Sequence, residues 1–136
     1  MEYAIGNALA LSVSCFARVT GLDRERAFYS TLAIVVASYY VLFAAMGGSS
    51  DVLAVESIVM AAFVLAAVIG FKRNLWLVVA ALAGHGLLDL FHGAVVANPG
   101  VPQWWPPFCL AYDVGAAGFL AWLLLRSKLA AQRNGR

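Results

Sequence analysis

The chain has 136 residues, 63% of them hydrophobic and 12% charged, with a formal charge of +2 and a mean hydropathy of +0.85. A soluble domain carries roughly 45–50% apolar and about 25% charged residues, so only lipid can hide this much apolar surface from water. The small positive charge does not mark a nucleic-acid binder either, because the Lys and Arg residues lie in short segments beside apolar runs rather than on one amphipathic face.

Charge-free apolar runs predict an all-α integral membrane protein, a bundle of five transmembrane helices at residues 3–17, 27–46, 52–71, 75–96 and 108–125. About 20 residues at 1.5 Å each cross roughly 30 Å of hydrocarbon. The first run is the weakest, being short and containing Asn7, Ser12 and Ser14; without it the bundle has four spans. It does not read as a signal peptide, because Glu2 stands where a basic segment belongs and Arg18 follows the apolar run.

Between the runs lie stop and start signals. Residues 18–26 form a charged turn with Asp23 placed to cap the second helix. Gly47-Gly48-Ser49-Ser50-Asp51 ends that helix and caps the third, and Asn74, after Lys72-Arg73, is placed to cap the fourth. The four prolines all fall within residues 98–107, which predicts an extended stretch outside any helix. There Trp104 and Trp105 belong at headgroup depth, as a lid over whatever lies beneath. Residues 127–136 form a basic tail after a single transmembrane domain, 1–126.

All nine Lys and Arg residues fall on one side of this arrangement: Arg18, Arg24 and Arg26, then Lys72 and Arg73, then Arg126, Lys128, Arg133 and Arg136. That side is expected to be cytoplasmic, with the N-terminus and the Pro-Trp loop outside. Cys15 and Cys109 then lie near opposite faces, so no disulfide is expected.

Ionisable groups within spans cost at least about 2.5–3.5 kcal/mol each at the centre of a lone helix and call for a reason. Here they are Glu56, His85, Asp89, His92 and Asp113. His85, Asp89 and His92 stand at i, i+4 and i+7, which puts them on one helix face, and lipid offers that face no partner. Counted from the outer helix ends at 1.5 Å per residue, His92, Asp89, Asp113 and Glu56 lie about 6–10 Å deep and His85 about 16 Å. This predicts an inner set of Asp89, His92 and Asp113, with Glu56 joining if the third helix packs beside the fourth and fifth. Tyr39, Tyr40, Ser57, Cys109 and Tyr112 are candidate hydrogen-bond partners, although Ser57 and Cys109 have no base placed beside them and read as packing residues.

Imidazole and carboxylate together suit a divalent transition metal such as zinc. The same groups suit a proton-linked path or small-solute site, or a membrane-embedded metal-dependent hydrolase or transferase acting on lipid. In the remaining reading they only dock helices, in a structural or accessory subunit. The expected partners are membrane lipid and either a second copy of the chain or another membrane subunit, and no nucleic acid.

The run Gly84-His85-Gly86-Leu87-Leu88-Asp89-Leu90-Phe91-His92, followed by Asn98-Pro99-Gly100-Val101-Pro102 and Trp104-Trp105-Pro106, resembles a group of small bacterial polytopic membrane proteins. The resemblance extends back through Gly21-Leu22-Asp23-Arg24 and Ala37-Ser38-Tyr39-Tyr40, and implies a membrane location without an activity. The His, Asp and Ser inventory is also similar to that of the ceramidase and progestin-receptor-like membrane hydrolases, which hold zinc with three His on seven spans. This chain departs from that pattern, having two His.

Overall fold

The computed structural model describes residues 1–134, with side chains as far as Ser127. The described chain is helical: α1 (Glu2–Thr20), a short 3₁₀ turn (Leu22–Arg24), α2 (Ala27–Gly47), α3 (Ser50–Lys72), α4 (Trp76–Val95) and α5 (Trp105–Asn134). Four helices are long and apolar enough to cross a membrane, namely α2, α3, α4 and the Trp105–Ser127 part of α5. The first helix is not among them.

The expected caps hold at two of three places. Ser49 Oγ accepts from the Val52 N–H at 3.3 Å and starts α3, and Asn74 Oδ1 accepts from the Trp76 N–H at 3.0 Å and starts α4. The third expectation is corrected, since α2 begins at Arg26 without a side-chain cap. Asp23 instead accepts from Arg18 Nη1 at 3.1 Å, which ties the turn back to the end of α1. The Arg18 side of this pair is exposed and the Asp23 side chain is buried, so the bond fixes the course of the turn.

A second correction concerns the prolines. Pro106 and Pro107 lie in the first turn of α5 rather than outside it. The first N–H groups of a helix have no intrahelical partner, so prolines there forfeit no bond and bring a preset φ. Thus α5 starts a turn earlier than the charge-free run indicates. It also continues past Arg126 as helix to Asn134, where the sequence reads as a tail. Residues 135–136 and the side chains from Lys128 onward lie outside the described residues.

Neighbouring helices pack in the order α2, α3, α4, α5, α1, and α2 also touches α4 and α5 across the interior. Small residues at every third or fourth position of α1, Gly6, Ala10, Ser14 and Ala17, form its buried stripe. Gly6 faces Phe108 and Ala111, and Ala10 faces Gly115, so α1 and α5 run parallel. A Cβ on Gly6 would collide with the Phe108 carbonyl oxygen. Gly6→Ala is therefore expected to lower the melting temperature in detergent, since overpacking costs typically about 1–3 kcal/mol. Gly118→Ala, where an added Cβ meets nothing within 4 Å, should leave it unchanged. Equal melting of the two variants would contradict the close packing of α1 on α5.

The α2–α3 turn and the α4–α5 loop lie at the same end of the bundle, here the loop end. Gly100 presses on the Phe43 carbonyl so closely that only a residue without a Cβ fits, and Gly47 packs against Gly100 in turn. At the opposite, basic end the Arg26 Nε donates to the Phe71 carbonyl at 3.0 Å and joins the start of α2 to the end of α3. Cys15 is exposed and Cys109 buried, and both are free thiols.

Candidate functional site

The single polar face of α4 forms as its spacing requires. His85, Asp89 and His92 are all buried, as are Glu56 on α3 and Asp113 on α5. They do not form one cluster. They divide into two tiers along the bundle, and one tyrosine connects them.

The deeper tier joins α4 to α5. His85 Nδ1 lies 2.7 Å from Asp113 Oδ2 and 3.8 Å from Asp89 Oδ2, the second distance being too long for a hydrogen bond. Cys109, one turn before Asp113, places Sγ 3.7 Å from Asp113 Oδ2. One nitrogen, one sulfur and two carboxylate oxygens of His85, Asp89, Cys109 and Asp113 all lie within 4.8 Å of one another. The Phe63 ring stands edge-on to His85, with centroids 5.0 Å apart, and closes the side toward α3.

Hydrogen bonding in this tier is incomplete. The Tyr40 O–H on α2 donates to Asp89 Oδ1 at 2.5 Å, but Asp89 Oδ2 and Asp113 Oδ1 are buried without a hydrogen-bond partner. Two enclosed carboxylates face one imidazole, and among the described residues every Lys and Arg stands at or beyond the basic helix ends. Even a charged His85 therefore leaves one negative charge unbalanced, a costly condition in a dry interior unless a proton or a cation joins the group.

The outer tier joins α4 to α3 and to the loop. His92 Nε2 lies 2.9 Å from Glu56 Oε1. The Asn98 side-chain amide donates to the same oxygen at 2.9 Å and to the Tyr40 carbonyl at 3.2 Å, while its own oxygen accepts from the Gly100 N–H at 3.1 Å. Tyr40 links the tiers: its ring stacks on His92, centroids 3.8 Å apart and 16° from parallel, and its hydroxyl is on Asp89.

Comparisons with protein-family models, curated proteins and solved structures give no match. The chemistry of the site must therefore be read from its own residues.

The structure regroups the expected set. Asp89 and Asp113 do converge, but their imidazole is His85, and His92 pairs with Glu56 one layer further out. The depth count separated His85 from Asp113 because it started the fifth helix at residue 108; from Trp105, Asp113 lies about 12 Å along its helix and His85 about 15 Å from the end of α4. Tyr40 is a partner as expected. Tyr39 and Tyr112 line a cleft of about 270 Å³ between α1, α2 and α5, whose wall also includes the buried Cys109. Ser57 faces outward, its hydroxyl donating to the Leu53 carbonyl of its own helix.

Of the two lid tryptophans, Trp105 is half-buried against Tyr39, Phe43 and Phe108, while Trp104 is exposed. The contact between loop and site comes from Asn98 instead. Asn98 was not expected at the site; Cys109, expected as a hydrogen-bond partner and packing residue, does bond Asp113 but also stands among the candidate metal ligands. The available signal for Cys109 was its i, i+4 relation to Asp113, the spacing that also links His85 to Asp89.

Proposed function

We propose that this chain is a multi-pass membrane protein that holds one divalent transition metal, such as zinc, between α4 and α5. The ligands are His85, Asp89, Cys109 and Asp113. The observation that carries the reading is the pair of buried oxygens without a hydrogen-bond partner, Asp89 Oδ2 and Asp113 Oδ1, within ligand distance of His85 and Cys109. A divalent cation coordinates the free lone pairs, and its two charges offset those of the two carboxylates. Nitrogen, thiolate and carboxylate donors together suit zinc and its neighbours better than calcium or magnesium.

Tetrahedral zinc with bonds of about 2.0–2.3 Å keeps its ligand atoms roughly 3.3–3.8 Å apart. Side chains already within 4.8 Å reach that spacing by small χ rotations, with the close His85–Asp113 contact opening to admit the ion. Tyr40, on the other oxygen of Asp89, is the outer partner that orients a ligand carboxylate.

The proposal places the loop end outside and the basic end in the cytoplasm of a bacterial plasma membrane. It rests on the one-sided Lys and Arg distribution and on the resemblance to small bacterial membrane proteins. It counts α1 as a fifth span, because α1 lies parallel along α5, itself long and apolar enough to cross.

Elemental analysis of protein purified in mild detergent without chelator tests the metal site. Close to one equivalent of zinc or another first-row metal per chain is expected, with loss in Cys109→Ala and Asp89→Asn. Wild-type protein that arrives metal-free and takes up no zinc on titration ends the reading.

A further inference from the structure

The ligand tier is closed to solvent, so its ion needs a route. The two directions along the bundle differ sharply in what they offer. Toward the basic end the interior is apolar: Val78, Leu82, Ala116, Ala117 and Leu120 are buried in one contiguous core. Among the described residues, the polar side chains buried in that half of the helices are Ser14, Tyr29 and Ser30. A divalent ion moving that way would meet hydroxyls but no carboxylate until Asp23, in the turn at the basic end.

Toward the loop end the surroundings are those of a cation path. Between the end of α4 and the Pro-rich loop lies a cavity of about 470 Å³ lined by His92, Gly93, Asn98, Gln103 and the loop prolines. Beneath it stand the His92 imidazole and the Glu56 carboxylate, 2.9 Å apart, with the Asn98 amide on the same carboxylate oxygen. From there Tyr40 leads inward, its ring against His92 and its hydroxyl on the ligand Asp89.

We propose that His92 and Glu56, with the Asn98 amide holding the carboxylate in place, form a second, outer capture site for a divalent cation. Through this site the buried ligand tier loads and unloads, and it exchanges with the loop side alone. The inference rests on the metal reading above and adds its direction. One imidazole and one carboxylate make a weaker ligand set than the four-donor tier, as a transient site requires. Swinging of Tyr40 away from His92 opens the step between the tiers, and its hydroxyl releases Asp89 as it moves. With no ladder of ligands beyond, the deep site is a dead end rather than part of a channel.

The test is the kinetics of zinc exchange in the full chain in detergent, followed by rapid mixing of metal-free protein with Zn²⁺ and of loaded protein with a chelating dye. Gly93→Leu narrows the cavity, and its Cβ has open space, with nothing within 4 Å. Gly118→Leu, equally unobstructed but on the basic half of α5, is the control. Gly93→Leu and Glu56→Gln are expected to slow loading and release by about tenfold or more. Gly93→Leu should still reach one zinc per chain, and Gly118→Leu should exchange like wild type. Wild-type rates in both Gly93→Leu and Glu56→Gln overturn the capture site while leaving the deep site standing. A wild-type chain that takes up no zinc overturns the metal reading itself. Vesicles reconstituted with the chain should bind zinc without carrying it across, and sustained zinc flux into their interior would refute the one-sided path.

Discussion

Asp113→Asn is expected to abolish zinc binding and yet leave the metal-free chain at least as stable as wild type. Asparagine keeps the shape and one carbonyl oxygen near His85 Nδ1, and it removes the charge that the deep tier cannot balance from its own residues. If the tier exists only to dock α4 on α5, the reverse holds. Breaking one partner of a buried ion pair costs about 3–5 kcal/mol, and even neutral interhelical hydrogen bonds in membranes contribute about 0.6 kcal/mol on average. The two readings therefore differ in sign. Added zinc separates them further: a ligand at a thousand times its dissociation constant stabilises the folded state by about 4.1 kcal/mol. The wild type should show a rise of that order in thermal or SDS unfolding, and the variant should show none. A variant destabilised in the absence of metal, with the wild type indifferent to zinc, would leave helix docking as the role of these residues.

The second large effect is expected at Glu56. On an otherwise lipid-facing stretch of α3, this one buried carboxylate holds both His92 and the loop amide of Asn98. Glu56→Ala strands an imidazole and an amide together and should cost about 3–5 kcal/mol, the usual penalty for removing one member of a buried pair. Glu56→Gln retains an oxygen in reach of the Asn98 N–H and should cost nearer 1 kcal/mol, the typical net value of a single hydrogen bond. Thermal unfolding measures the difference, and amide exchange at residues 98–101 should quicken in Glu56→Ala alone, because Asn98 also carries the Gly100 N–H. If Glu56→Ala melts within a degree or so of Glu56→Gln, the outer tier contributes nothing to fastening the loop.

Much of the fold could be read from charge and apolar runs, because in lipid the backbone is forced into helices and the only freedom left is where they stop. Ser49 and Asn74 marked two of those stops through caps that need a short polar side chain. The start of α5 was hidden, since prolines usually signal a helix's absence and are neutral only in its first turn. That error of one turn then spread into the site. It left Cys109 at the membrane surface and set Asp113 above His85, so the depth ruler paired the aspartate with the wrong histidine. The common face of His85, Asp89 and His92 was legible because it depends on helical period alone. The division into two tiers was not, because it depends on Tyr40 and Asn98 reaching in from elements whose sequence carries no periodic signal. Glu56 lay between these cases: its burial followed from its cost in lipid, but its partner depended on which helix lay beside α3.

The parallel pairing of α1 with α5 also bears on how the chain assembles. The main neighbour of α1 is α5, with three helices between them in the chain, while α1 meets α2 only through side chains such as Ser14 and Tyr29. Contacts this distant in sequence form late, after closure of a long loop, whereas α2, α3 and α4 can associate as consecutive hairpins during synthesis. Arrival of α5 would then do two things together: it supplies Cys109 and Asp113 to the waiting His85 and Asp89, and it gives α1 its place. Completion of the buried tier and docking of α1 then become a single event of folding.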